Sequence, residues 1–299
     1  MRRAIALLIP ALAVSTLGLS SPGSAQANGA TAREGSSARV QRVAQRTDTL
    51  PIRASLVPSR RRGNSFHVVE GRLPSPVDGA TCPPEMANVD NRFCIDRWEG
   101  SLVEVEADGS EHEWPPFDRV EAGRALRAVS RPHVYPQAYI SGAEAAEVCA
   151  SAGKRLCAPV EWRKACTGPE GQKFGYGAVR VSGRCNDQGR SPMIRLYPQV
   201  ARSWSLVGMV EMNDPRLNQL DGTLAPTGSH EDCTNGYGVY DMVGNLHEWT
   251  SDPNGTFQGG YYLDTHLNGD GCSYRTVAHE FTYHDYSTGF RCCADPVGP

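Results

Sequence analysis

The sequence predicts one loop-rich α+β domain over residues 76–299, and three observations carry that expectation. Helical periodicity is confined to two short segments, near residues 141–152 and 159–166. The stretch from Gly168 to Pro226 keeps no period at all, and one so long is usually held by metals, disulfides or function. All ten cysteines lie at or beyond Cys82, as in a domain stapled by disulfides.

The N-terminus is read separately. Arg2-Arg3 precede an apolar run from Ala4 to Leu19, and Ala25-Gln26-Ala27 offers a small-x-small cleavage site. Residues 1–27 therefore read as a secretory signal peptide. No cysteine is present there to carry a lipid, and no later apolar run is long enough to span a bilayer. The expected product is exported and soluble, periplasmic or secreted. No CxxC pair suggests zinc. Residues 28–75, poor in aromatics and rich in arginine, read as a disordered linker. The whole chain carries −3, and its first 72 residues carry +8, which leaves −11 for residues 73–299. A domain so acidic is not expected to bind nucleic acid, whereas bound divalent cations would relieve part of its repulsion.

Within the domain, Phe93 and Ile95 alternate with Cys94 and Asp96, a strand pattern. Cys82 and Cys94 enclose a short turn and make a local bridge plausible. Residues 105–136 read as loops and edge strands. Ser141-Gly142-Ala143-Glu144 is a capping box. Ala145, Val148, Cys149 and Ala152 then give the helix its apolar face, and Gly153 ends it. Pro159 opens a second helix with Trp162, Ala165 and Cys166 inward, but Ala158 offers no capping oxygen.

The stretch from Gly236 to Asp252 organises the rest. It is too dense in Gly, Asn and Asp for a helix interior or a long strand. Asp241, Asn245 and Glu248 gather oxygen donors within eight residues, so the segment is either a polar turn around Trp249 or a loop around a hard cation.

This stretch resembles the central motif of the formylglycine-generating enzyme family, the sulfatase-modifying factors. The resemblance continues in chain order through Ala152-Gly153-Lys154-Arg155-Leu156, Glu161-Trp162, Gly259-Gly260 and Thr288-Gly289-Phe290-Arg291-Cys292, covering roughly Cys82 to Asp295. It implies the family's C-type-lectin-like fold. It implies calcium at Asp241, Gly244, Leu246 and Glu248, the middle two through backbone carbonyls. A second calcium would lie at Asn186, Asp187, Asp221 and Thr223. It also implies bridges Cys149–Cys292 and Cys166–Cys272, leaving Cys157, Cys185, Cys233 and Cys293 unassigned. On a strand Cys292 and Cys293 point in opposite directions, so they should not share a partner region.

In the family, a serine follows the paired glycines, and two cysteines further on bind copper(I) to oxidise a sulfatase cysteine. Here the serine position is Tyr261, the first cysteine position is Asp264, and the second falls at Gly269. The motif tryptophan is His247. Copper is therefore not expected, since a carboxylate is a poor substitute for a soft thiolate. Asp264 and His266, two apart, would share a face on a strand. With His247 they form either a catalytic set, to which His279, His284 and Asp285 would add, or an ordinary polar surface. Three functions stay open: a calcium-stabilised binding or structural domain for a protein, peptide or glycan; an enzyme with a replaced active site; or a sulfatase-maturing oxidase.

Overall fold

A computed structural model describes residues 67–298 apart from Ala278. The expected signal peptide and all but the last nine residues of the expected linker lie outside the described residues. The elements, in order, are β1 (Met86–Val89), β2 (Phe93–Asp96), β3 (Gly100–Val105), β4 (Glu111–Glu113), β5 (Leu126–Ser130), α1 (Gly142–Ser151), β6 (Arg155–Leu156) and α2 (Pro159–Thr167). Two short helices, α3 (Pro192–Leu196) and α4 (Met209–Met212), follow. The chain closes with β7 (His247–Trp249), β8 (Phe257–Gln258), β9 (Arg275–Thr276), β10 (Thr288–Phe290) and β11 (Cys292–Ala294).

These strands form three small sheets. The order β1-β2-β11-β6 makes one, β10-β7-β8-β9 a second and β4-β3-β5 a third. All pairings are antiparallel except β10 with β7. Strands β10 and β11 are separated by Arg291 alone yet belong to different sheets, so this residue sits where the chain crosses from one to the other.

Local sequence explains both long helices. Ser141 Oγ accepts from the Glu144 N–H, and the Glu144 carboxylate accepts from the Ser141 N–H, completing the capping box. Gly153 takes φ +70°, the left-handed value that stops α1. At α2 only half of that arrangement exists: Glu161 accepts from the Ala158 N–H at 2.8 Å, and Ala158 has no oxygen to return. Strand β2 is buried on both faces, so its alternation does not separate core from solvent. Gly100 lets β3 lie against Phe290, because a Cβ there would meet the ring at 2.4 Å. Phe290 is fully buried, and Gly100→Ala would overpack it at a cost of about 1–3 kcal/mol.

The domain also begins before residue 76. Glu70, within the segment read as linker, binds Arg275 at 2.7 Å and Arg163 at 3.4 Å, and its carbonyl accepts from the Val160 N–H. Five disulfides staple the whole: Cys82–Cys94, Cys149–Cys292, Cys157–Cys293, Cys166–Cys272 and Cys185–Cys233. Adjacent Cys292 and Cys293 reach different partners, Cys149 in α1 and Cys157 in the link between β6 and α2. Among the described residues no helix is long and apolar enough to cross a membrane.

Candidate functional site

The loop from Gly236 to Asp252 is wound by left-handed residues. Asp241 and Asn245 take φ +58° and +54°, and Gly244 takes +86°. A Cβ on Gly244 would meet the Asn186 carbonyl at 2.3 Å, so only glycine permits this approach. Asn245 then binds three segments together. Its Nδ2 donates to Glu99 and to the Ala225 carbonyl, and its Oδ1 accepts from the Ala225 N–H and from Asn186 Nδ2.

Successive side chains of β7 point to opposite faces, which separates Glu248 from His247 and Trp249. Glu248 accepts from Arg291 at 2.6 and 2.7 Å and from Trp162 Nε1 at 2.7 Å. Arg291 is fully buried and also donates to the carbonyls of Asp96, Arg97 and Tyr240. Glu99 and Asp241 are buried beside this pair. Three carboxylates thus share one guanidinium. Burial, reinforced by the charges of Asp241 and Glu248, holds the Glu99 carboxyl well above the carboxylate range. Asp241 is pushed up to about 7, first by burial, with the Gly228 N–H and Arg291 opposing and Glu248 adding.

The donors expected for calcium are all hard oxygens, the type that calcium takes, but among the described residues no group of three or more His, Cys, Asp or Glu side chains is arranged to hold a metal ion. Their geometry divides them. Both oxygens of Glu248 are already engaged, whereas Asp241 accepts only the Gly228 N–H. In the other set, Asn186 Nδ2 donates to the Thr223 carbonyl at 2.8 Å, which brings those two residues together. Asp187 is turned to Arg180 at 2.8 Å, and Asp221 is exposed with its carbonyl accepting from Arg195. The two expected sites adjoin through the Asn186–Asn245 amide pair at 2.9 Å.

Beyond Gly259-Gly260 the expected strand does not form. A Cβ on Gly260 would meet the Asp264 carbonyl at 2.3 Å, and the chain closes there into a turn bridged between Tyr261 and Asp264. Asp264 caps the next turn by accepting the N–H groups of His266 and Leu267, and its other oxygen accepts from the Tyr274 hydroxyl at 2.9 Å. Asp264 and exposed His266 still meet, at 3.3 Å, but through this turn rather than along a strand face. His247 is buried against the rings of Phe257, Tyr261 and Tyr274, at 4.6, 4.7 and 5.4 Å. Burial lowers its pKa to about 3, so the ring is neutral, and its Nδ1 has no partner. His279 is packed between Phe257 and Tyr283, and burial lowers it too. Half-buried His284 binds Asn213, while Asp285 is held by Ser287 and Tyr283. Tyr274 is what joins His247 to Asp264, stacking on one and donating to the other. Its place in the sequence, two residues after Cys272, gave no sign of that role.

All ten cysteines are bridged, so no thiolate is available to copper(I). Gly269 sits at φ +118°, where a Cβ would meet the Ser273 carbonyl at 2.5 Å. The residues present do not fit a copper dithiolate.

Residues 68–296 match the profile of the sulfatase-modifying factor enzyme 1-like domain. The chain belongs to this family. Its fold is accordingly the loop-rich α+β fold of formylglycine-generating enzymes. No curated protein matches it. Among solved structures it is similar to CarF, at 14% identity over 78% of this chain and 99% of that one, with a TM-score of 0.41. It is also similar to the Major Tropism Determinant I1 variant, at 15% identity and a TM-score of 0.41, covering 77% of this chain and 56% of that one. The chain thus spans little more than half of the latter protein.

Proposed function

We propose that this member of the family is an exported, calcium-stabilised binding or structural domain that does not make formylglycine by the copper-thiolate route. One observation carries the reading: the two thiol positions hold Asp264 and Gly269, and every cysteine is in a disulfide. Tyr261 and the rings around His247 fill the space beside those positions. The five bridges and the N-terminal signal pattern support export to an oxidising compartment.

Calcium is proposed at Asp241, with the Gly244 and Leu246 carbonyls and Glu248, and at Asn186, Asp187, Asp221 and Thr223, where binding requires Glu248 to give up an Arg291 or Trp162 contact and Asp187 to turn from Arg180. There it would offset the carboxylate excess and fix the loop. The ligand of the domain is a protein, peptide or glycan.

The test has two arms. Metal analysis of the purified protein should find calcium without copper. Incubation with copper(I), oxygen, a thiol reductant and a sulfatase-motif peptide should leave the peptide mass unchanged. Turnover abolished by Asp264→Ala would reverse the reading in favour of an oxidase with an unfamiliar ligand set. Bound zinc or iron would instead favour a replaced active site.

A further inference from the structure

Between α2 and the central loop, the segment Gly189–Val210 behaves unlike the rest of the domain. It contains Arg190, Arg195 and Arg202 and no carboxylate, the flanking acids being Asp187 and Glu211. Its charge of +3 stands in a region, residues 73–299, whose total is −11. All three arginines are exposed, and among the described residues none is paired with a carboxylate. Beside them four large apolar side chains face solvent: Trp204 is 55% exposed, Leu206 54%, Met209 43% and Val210 84%. These four lie within seven residues, a span of at most about 23 Å even fully extended.

The segment is fastened rather than loose. Met193 and Val200 are buried among Leu217, Tyr262 and Tyr286, and two residues beyond the segment the Met212 carbonyl accepts from the Tyr286 N–H. The anchoring side chains point inward, and the remaining apolar ones project from short turns. A cluster of exposed apolar residues on a soluble domain marks a surface meant to be covered. A tryptophan with arginines beside it suits the boundary between lipid headgroups and acyl chains.

We propose that residues 189–210 form a tip that docks this domain on an anionic lipid surface. The apolar spikes enter the acyl boundary, and the three arginines lie against the phosphates. Charge selects this occupant and its orientation. The remainder of residues 73–299, at −14 once the segment's +3 is removed, is repelled by an anionic bilayer. The tip is the face that can approach.

The experiment mixes the mature chain with vesicles of phosphatidylcholine alone or with added phosphatidylglycerol. It reads co-sedimentation and tryptophan emission. All five tryptophans are described, and Trp204 is the exposed one among them, so a blue shift reports its insertion. The expected result is binding with a blue shift on anionic vesicles only, weakened by salt. Leu206→Ser/Val210→Ser should weaken binding by at least about tenfold. Trp204→Phe should abolish the shift while binding persists. These positions are exposed, so near-UV circular dichroism should be unchanged in every variant. Binding without a shift, untouched by the double substitution, would assign the contact to the Arg-rich residues 28–75 and overturn the proposal. Absence of binding, with a dimer that the double substitution breaks, would make the tip a surface between copies and overturn it equally.

Discussion

Strand β7 divides two buried polar regions that handle the same difficulty in opposite ways. On one face, Glu248, Glu99 and Asp241 gather around Arg291, nearly every donor and acceptor is used, and the surplus of carboxyl groups over cations is met by raised pKa values at Glu99 and Asp241. On the other, His247 lies among aromatic rings, uncharged, with Nδ1 unpartnered. A buried charge without a partner costs far more than a buried neutral polar atom without one. Around β7 the fold therefore spends its hydrogen bonds on the ions and leaves the neutral imidazole short of one.

The largest expected effect comes from removing the one buried cation. Arg291→Leu should destabilise by about 3–5 kcal/mol, since it strands Glu248 beside two further carboxylates. Urea unfolding measures it, and a loss under about 1 kcal/mol would mean the carboxylates are neutral or otherwise paired. Next is calcium itself. Saturating calcium, at a hundred times its dissociation constant, should add about 2.7 kcal/mol over the chelated protein, and Asp241→Asn should remove most of the difference. A melting temperature indifferent to chelator would leave the charge excess to Arg291 alone.

Acid should then separate the two faces. His247 has its pKa lowered to about 3 from 6.5, so the unfolded chain binds a proton that the folded one refuses. Its contribution to stability is intact above pH 6.5 and declines as pH falls towards 3, by at most about 1.4 kcal/mol per pH unit. Asp241 runs the other way. With its pKa raised from 3.8 to about 7, its destabilising charge is absent at low pH and grows as pH rises through that window. His247→Phe should abolish the first slope and expose the second. At neutral pH it should stabilise by about 1–2 kcal/mol, because an orphaned polar atom disappears. Parallel pH profiles for the two proteins would show that the imidazole is solvated. The smallest effect is Tyr274→Phe, which frees one oxygen of Asp264 and should cost about 0.5–1.5 kcal/mol in thermal unfolding.

What was legible in the sequence follows from range. The capping box at Ser141, the stop at Gly153 and the start at Pro159 are local chemistry, and both helices form where they were expected. The pairings Cys149–Cys292 and Cys166–Cys272 came from a family resemblance. Cys157–Cys293 and Cys185–Cys233 stayed unread, because nothing near those residues names a partner 136 or 48 positions away. The Arg291 cluster was hidden for the same reason. The signal for it was an arginine within Phe290-Arg291-Cys292-Cys293, a run too apolar to leave its charge in water. Asp264 and His266 were misread as a strand because the clash that forces the turn arises between Gly260 and Asp264, not from either side chain. Glu70 looked like one acid in a basic linker, and only the folded domain supplies Arg163 and Arg275 to meet it.

The adjacent cysteines of β11 have a mechanical consequence. Tension applied to the two chain ends passes from Cys149 to Cys292 through sulfur, and the 143-residue separation between them carries no load. At about 3.5 Å per residue, roughly 500 Å of contour is withheld from stretching until a thiol reductant opens the bridge. A protease that nicks the chain between Cys185 and Cys233 meets the same arrangement, because the fragments stay joined by the bridges that enclose the cut. In a compartment without reducing power, the domain can be cut or pulled there and still hold its two ends together.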